Sequence, residues 1–187
     1  MYTRRCDVLA ASQRRGKTRL IVAMLNPMPL RAHPLLFEFE ILSSENLGFI
    51  PMCIRFNLDR CGIRITLAQW QALPHAERVE FTRYPLADSD AAAQTFAHAL
   101  AARLAAADLG APAAAADAPD LAWTRTTQVP AGLLQQYALH HLAPITEPVW
   151  GHLPEFQRYV LNKLSRRATA NHDFLAALRE FGLPTAA

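Results

Sequence analysis

The sequence contains few cysteines and no long hydrophobic run. Its three cysteines, Cys6, Cys53 and Cys61, cannot form an even disulfide framework, and so low a count is typical of a reducing compartment. The longest apolar stretches fall far short of the roughly 20 residues that a membrane-spanning helix needs. Residues 20–25 follow a basic run but are fewer than the roughly 7–15 residues of a signal peptide's apolar region. These absences predict a cytoplasmic protein without a membrane segment.

The positive charge of the chain is concentrated at its start. The formal net charge is +3, and residues 1–27 hold six basic residues against the single acid Asp7. The remaining residues therefore carry a net charge of −2. A nucleic-acid-binding domain carries its basic excess on the folded part, so we expect no nucleic-acid partner.

Residues 1–33 show no sustained hydrophobic period and run into Asn26-Pro27-Met28-Pro29, which stops any helix. We predict that residues 1–33 are a disordered extension or a mis-annotated start, since Met28 directly precedes the first patterned segment. Half of all residues are hydrophobic, enough to bury one core. Residues 34–184 are therefore predicted to form a single domain.

The domain is predicted to be helical from its start and stop signals. Residues 50–62 fit both a strand and a helix period, but Pro51 suits a first helical turn and Gly62 a left-handed C-terminal residue. Residues 66–69 read as a capping box, with Ile65 and Trp70 as its hydrophobic staple. Further helices are predicted to begin at Pro74, Asp88, Pro130, Glu155 and Asn171.

Only residues 36–41 suggest a strand, and an isolated strand has nothing to pair with. Residues 111–119 are predicted to be a loop and residues 145–154 a turn-rich connection. The pattern as a whole predicts an all-α fold, a single compact domain of about six to seven helices.

No catalytic, metal or cofactor motif emerges. Gly16-Lys17-Thr18 lacks the first glycine and the preceding strand of a phosphate-binding loop. The best histidine cluster is His140, His141 and His152, but adjacent helical histidines point about 100° apart. No serine or cysteine stands in a nucleophile motif, and the carboxylates Glu38 and Glu40 fit solvated turns and caps. We therefore expect a protein that is not an enzyme and holds no cofactor.

Two polar residues, Asn57 and Lys163, fall inside apolar helical arcs. An unpaired buried charge is costly, so Lys163 must reach solvent or meet an acid. Extension to solvent is the favoured interpretation. A pair with Asp59 or Asp173 is the alternative.

Two blocks of the sequence resemble the nitrate reductase-associated protein family. The first holds Phe37-Glu38-Phe39-Glu40, Ile50-Pro51-Met52, Arg55-Phe56, Leu58-Asp59, Cys61-Gly62 and Trp70; the second holds Gln157-Arg158-Tyr159, Lys163-Leu164-Ser165-Arg166, Phe174-Leu175, Leu178 and Glu180-Phe181. The likeness extends over residues 37–182, with a looser middle at residues 88–128. Asn57 departs from it, standing where the family more often has lysine.

The resemblance implies a small cytoplasmic bacterial protein linked to assimilatory nitrate reductase, and it brings no catalytic residues. The leading hypothesis is an accessory factor whose partner is nitrate reductase or its maturation machinery. The candidate partner-binding residues are Arg55, Asp59, Lys163 and Arg166, polar positions inside the two blocks.

One alternative is a sensor in which Arg55, Lys163 and Arg166 converge on a small anion such as nitrate, because guanidinium groups hold planar oxyanions in bidentate geometry. A second is an enzyme that modifies a cofactor, although the sequence nominates no nucleophile or metal site for it.

Overall fold

Helices make up almost all the regular structure of the described residues. The computed structural model describes residues 30–43, 46–115 and 120–185, so most of the predicted extension, residues 1–29, lies outside the described residues. Within them lie nine α-helices: α1 (Glu38–Ser43), α2 (Met52–Cys61), α3 (Leu67–Ala72), α4 (His75–Thr82), α5 (Asp90–Ala106), α6 (Ala131–Leu139), α7 (Glu147–His152), α8 (Glu155–Leu164) and α9 (His172–Glu180). The predicted all-α fold is confirmed, and six of these helices exceed six residues.

Local capping interactions fix several helix ends where the sequence predicts them. The Thr66 hydroxyl accepts a hydrogen bond from the Gln69 N–H, and the Gln69 side chain accepts one from the Thr66 N–H. Gly62 ends α2 in the left-handed region at φ 64°, where a side chain would be strained. The Asn171 side chain accepts from the Asp173 N–H at the start of α9. These three predictions are confirmed.

Other boundaries differ from the predictions. Ser89, one residue after Asp88, caps α5 by accepting a hydrogen bond from the Ala92 N–H. The sequence predicts that this helix ends at Gly110, but it already ends at Ala106, and the chain then turns left-handed at Asp108 and again at Gly110. Of the strand-like residues 36–41, residues 38–41 belong to helix α1.

Two connecting segments hold regular structure that the sequence pattern did not indicate. The predicted turn-rich segment 145–154 contains the short helix α7, whose Pro148 lies in the first turn, where no N–H is needed. Inside the predicted loop 111–119, strand β2 (Ala113–Ala114) pairs antiparallel with β1 (Ile63–Arg64). A 3-10 helix, η1 (Ala122–Thr124), precedes α6.

The hydrophobic side chains form two adjoining cores with α2 between them. One core gathers around Trp70, Phe96 and Leu100 from α3 and α5. The other gathers around Trp150 and Phe174, from α7 and α9. Helix α2 contributes Cys53, Ile54 and Leu58 to the first core and Phe56 to the second. The seam between α2 and α8 therefore holds the two halves of the fold together.

Candidate functional site

The four predicted site residues lie on α2 and at the C-terminal end of α8, but they do not converge. Asp59 and Lys163 meet each other across the two helices. Arg55 donates from Nε to the Ile50 carbonyl oxygen at 2.8 Å. Arg166 pairs with Asp120, with Nη2 3.0 Å from Oδ2. The three cations of the anion-sensor hypothesis therefore have three different partners.

Asp59, Tyr159 and Lys163 form a polar cluster in the α2–α8 seam. Lys163 Nζ lies 2.6 Å from Asp59 Oδ2, and the Tyr159 hydroxyl donates to the same oxygen at 3.0 Å. The Lys163 side chain is only 18% exposed, and its ammonium lies 5.5 Å from the centre of the Tyr159 ring. The favoured prediction that Lys163 extends to solvent is thus wrong, and the alternative pair with Asp59 is confirmed.

Tyr159 is a fixed donor in this cluster. Its side chain is fully buried, and this burial, together with the negative charge of Asp59 and the hydrogen bond to it, raises the pKa of the tyrosine hydroxyl. The hydroxyl consequently keeps its proton at physiological pH. The cluster therefore orients and neutralises charges between two helices, which is a structural role.

Glu40 is a buried carboxylate that links α1 to the start of α2. Its Oε1 accepts a hydrogen bond from the Met52 N–H at 2.7 Å, and its Oε2 accepts one from the Phe37 N–H. Pro51 supplies no side-chain cap to α2, so Glu40 caps that helix from another part of the chain. Burial raises the pKa of Glu40, although the two hydrogen bonds and the charge of Arg55 oppose this shift. The expectation of a solvated carboxylate is therefore wrong for Glu40.

Arg166 lines a surface cavity of about 290 Å³ that lies between the start of α6 and the end of α8. Asp120 stands at its edge and accepts hydrogen bonds from the Ala122 N–H, the Asn162 amide and Arg166, each at 3.0 Å. Burial alone would raise the pKa of Asp120, but these three donors hold it below its usual value. Arg166 was a predicted site residue, but Asp120, Asn162 and the cavity were not predicted, because no motif or charge pattern in residues 120–132 points to them.

The candidate histidines do not form a cluster, because two of them contact backbone carbonyl groups at different places. The His140 Nε2 atom lies 3.0 Å from the Asn171 carbonyl oxygen, and the His152 ring contacts the Pro148 carbonyl oxygen. Across residues 30–43, 46–115 and 120–185, no three histidine, cysteine, aspartate or glutamate side chains are grouped as metal ligands would be. None of the helices in these same ranges has the length and apolar character to cross a membrane.

We expect the Asp59–Lys163 pair to stabilise the seam measurably. In a double-mutant cycle with Asp59→Ala and Lys163→Ala, the coupling free energy should be about 1 kcal/mol, at the upper end for exposed pairs because Lys163 is mostly shielded from solvent. Urea unfolding followed by circular dichroism measures it. Arg60 and Glu155 form the matched control, since they pair across the same helices at 3.4 Å in a more exposed position. A coupling no larger than that of the control pair would contradict the prediction.

The family model of conserved nitrate reductase-associated proteins matches residues 36–181 of this chain. No curated protein and no solved structure matches this chain. The matched range contains every helix in the described part of the chain, from α1 to α9. The similarity therefore concerns the whole fold.

Proposed function

This chain belongs to the nitrate reductase-associated protein family, and we propose that it is a non-catalytic accessory factor for assimilatory nitrate reductase. It supports the maturation of that enzyme, its cofactor loading or its coupling to an electron donor. The family match over residues 36–181 is the observation that carries the proposal. Because the match includes both cores, the shared property belongs to the folded domain as a whole.

The exposed arginines suit a protein-binding role better than the buried cluster does. Arg166 is 48% exposed in its pair with Asp120, and surface ion pairs of this kind contribute only about 0–1 kcal/mol. Such a guanidinium can exchange its partner for a carboxylate on another protein. Arg55 is also exposed, and its described hydrogen bond is to a backbone carbonyl. We therefore assign partner contacts to Arg55 and Arg166, and assign Asp59 and Lys163 to the α2–α8 seam.

Deletion of the gene tests the proposal. Cells that lack the protein should contain nitrate reductase of low specific activity when grown on nitrate, and a tagged copy should co-purify with the reductase or its maturation proteins. The purified protein alone should not reduce nitrate. Normal reductase activity in the deletion strain under inducing conditions would remove the proposal.

Single substitutions then test whether Arg55 and Arg166 belong to the partner-binding surface. Arg55→Ala and Arg166→Ala should each reduce nitrate-dependent growth of the complemented strain. Arg64→Ala is the matched control, since Arg64 is an exposed arginine on β1. Circular dichroism of each variant separates loss of the partner from loss of the fold.

A further inference from the structure

The cavity beside Arg166 has a polar wall that is fixed by packing. Asn162 and Ser165 form part of it and are each 4% exposed. The Asn162 amide is held by Asp120, and the Ser165 hydroxyl donates to the Asn162 carbonyl oxygen. Opposite them, a Cβ atom on Gly132 would lie 3.3 Å from the Ser165 carbonyl oxygen, so the start of α6 touches the end of α8. The Asn162 and Ser165 side chains of this wall are thus held at fixed positions.

Among the described residues that line this cavity, the positive charge exceeds the negative. The charged ones are Arg125, Arg166 and Asp120. Asp120 is already bound by three donors, one of them Arg166, so these two charges offset each other. Within the described part of the chain, the side-chain hydrogen bond of Arg125 runs from Nη1 to the neutral Gln128 Oε1, at 3.4 Å. The Arg125 guanidinium consequently has no acidic partner within the described residues.

The first residues of α6 line the same cavity. Ala131 and Gly132 line the cavity as the first two residues of this nine-residue helix, and Pro130 before them gives no side-chain cap. Their N–H groups have no hydrogen-bond acceptor among the described residues, and the Pro130 carbonyl oxygen accepts from the Leu133 and Leu134 N–H groups instead. A guanidinium next to such amides provides the donor geometry that planar and tetrahedral oxyanions use.

We propose that this cavity binds a small oxyanion, with Arg125 as the main charged ligand and the Ala131 and Gly132 amides as further donors. Arg166 and Asp120 position the wall. A carboxylate, nitrate and phosphate share the required chemistry, and a carboxylate has two sources: a free acid or an acidic side chain of a partner protein. This site is independent of the proposed accessory function, because it needs no reductase to be observed.

Titration of the ¹⁵N-labelled protein tests the site directly. Sodium acetate, nitrate and phosphate should each be added against sodium chloride at constant ionic strength. We expect saturable shifts of the Ala131 and Gly132 amide signals with at least one of the three, and binding about tenfold or more weaker in Arg125→Gln. Arg103→Gln serves as the control, since Arg103 pairs with Glu77 and Glu80 and is not one of the residues that line the cavity.

The preferred probe identifies the class of ligand. Tighter binding of nitrate or phosphate supports a free inorganic oxyanion, and tighter binding of acetate supports a carboxylate. A peptide with one glutamate, compared with its glutamine version, then separates a side-chain source from a free acid. Absence of saturable shifts with all three anions, or shifts that Arg125→Gln leaves unchanged, would overturn the proposal.

Discussion

Replacing Arg158 by methionine should lower the free energy of unfolding by about 3 kcal/mol. Arg158 lies on α8, is only 8% exposed, and donates to the carbonyl oxygens of Trp123 and Leu153. Methionine fills a similar volume but donates no hydrogen bond. Two carbonyl groups then lose their partner, at a cost of roughly 1–3 kcal/mol each. Urea unfolding monitored by circular dichroism provides the measurement.

Arg158 acts through hydrogen bonds, because no acidic side chain in the described residues pairs with it. Arg158→Lys should therefore recover only part of the loss, since a single ammonium cannot reach two carbonyl groups in the same fork geometry. Arg64→Met removes one positive charge from an exposed position and should change stability by less than about 0.5 kcal/mol. If Arg158→Met lost no more stability than Arg64→Met, the described role of Arg158 would be refuted.

Sequence patterns predicted the helix ends that depend on neighbouring residues. Thr66 and Gln69 satisfy each other's backbone N–H groups, and Gly62 provides the left-handed end of α2. Asn171 likewise caps its own helix. Each of these interactions spans at most a few residues, so the residue types and their spacing are enough to predict it.

Contacts between distant parts of the chain were not predictable in the same way. Glu40 caps α2 across 12 residues, and strand β1 finds its partner in an alanine-rich segment without any alternating pattern. The sequence placed Lys163 inside the apolar arc of α8, but the favoured interpretation, extension to solvent, was wrong, and the acidic partner was left open. Which acid meets that lysine depends on how α2 packs on α8, so Asp59 remained one of two alternatives until the packing was known.

Part of the candidate site was likewise predictable from the sequence, and part of it was not. The two family-like blocks led to Asp59 and Lys163, which the fold brings together, and to Arg166, which the fold places at a cavity. The other half of that cavity comes from residues 120–132. These residues lie outside the two family-like blocks, and most of them lie in the looser middle of the resemblance. Arg125 becomes a candidate ligand-binding residue only in the folded chain, because the segment between η1 and α6 places it at the same cavity as the end of α8.

Gln136 holds the connection that carries Arg166 away from α8. It is fully buried on α6, and its amide nitrogen donates to the Arg167 and Thr169 carbonyl oxygens at 2.7 and 2.9 Å. Its side-chain oxygen accepts from the Asn171 N–H at 3.1 Å. One side chain therefore satisfies three backbone groups between α8 and α9.

Gln136→Leu should consequently lower the free energy of unfolding by about 2–4 kcal/mol, because leucine has a similar size but leaves the Asn171 N–H and two carbonyl groups without this partner. Gln135→Leu is the matched control, an exposed neighbour on the same helix that should change stability by less than about 0.5 kcal/mol. Hydrogen exchange should show faster exchange of the Asn171 N–H in Gln136→Leu only. Equal stability of the two variants would mean that water replaces Gln136, and that the connection bearing Arg166 is held by the packing of α8 and α9 alone.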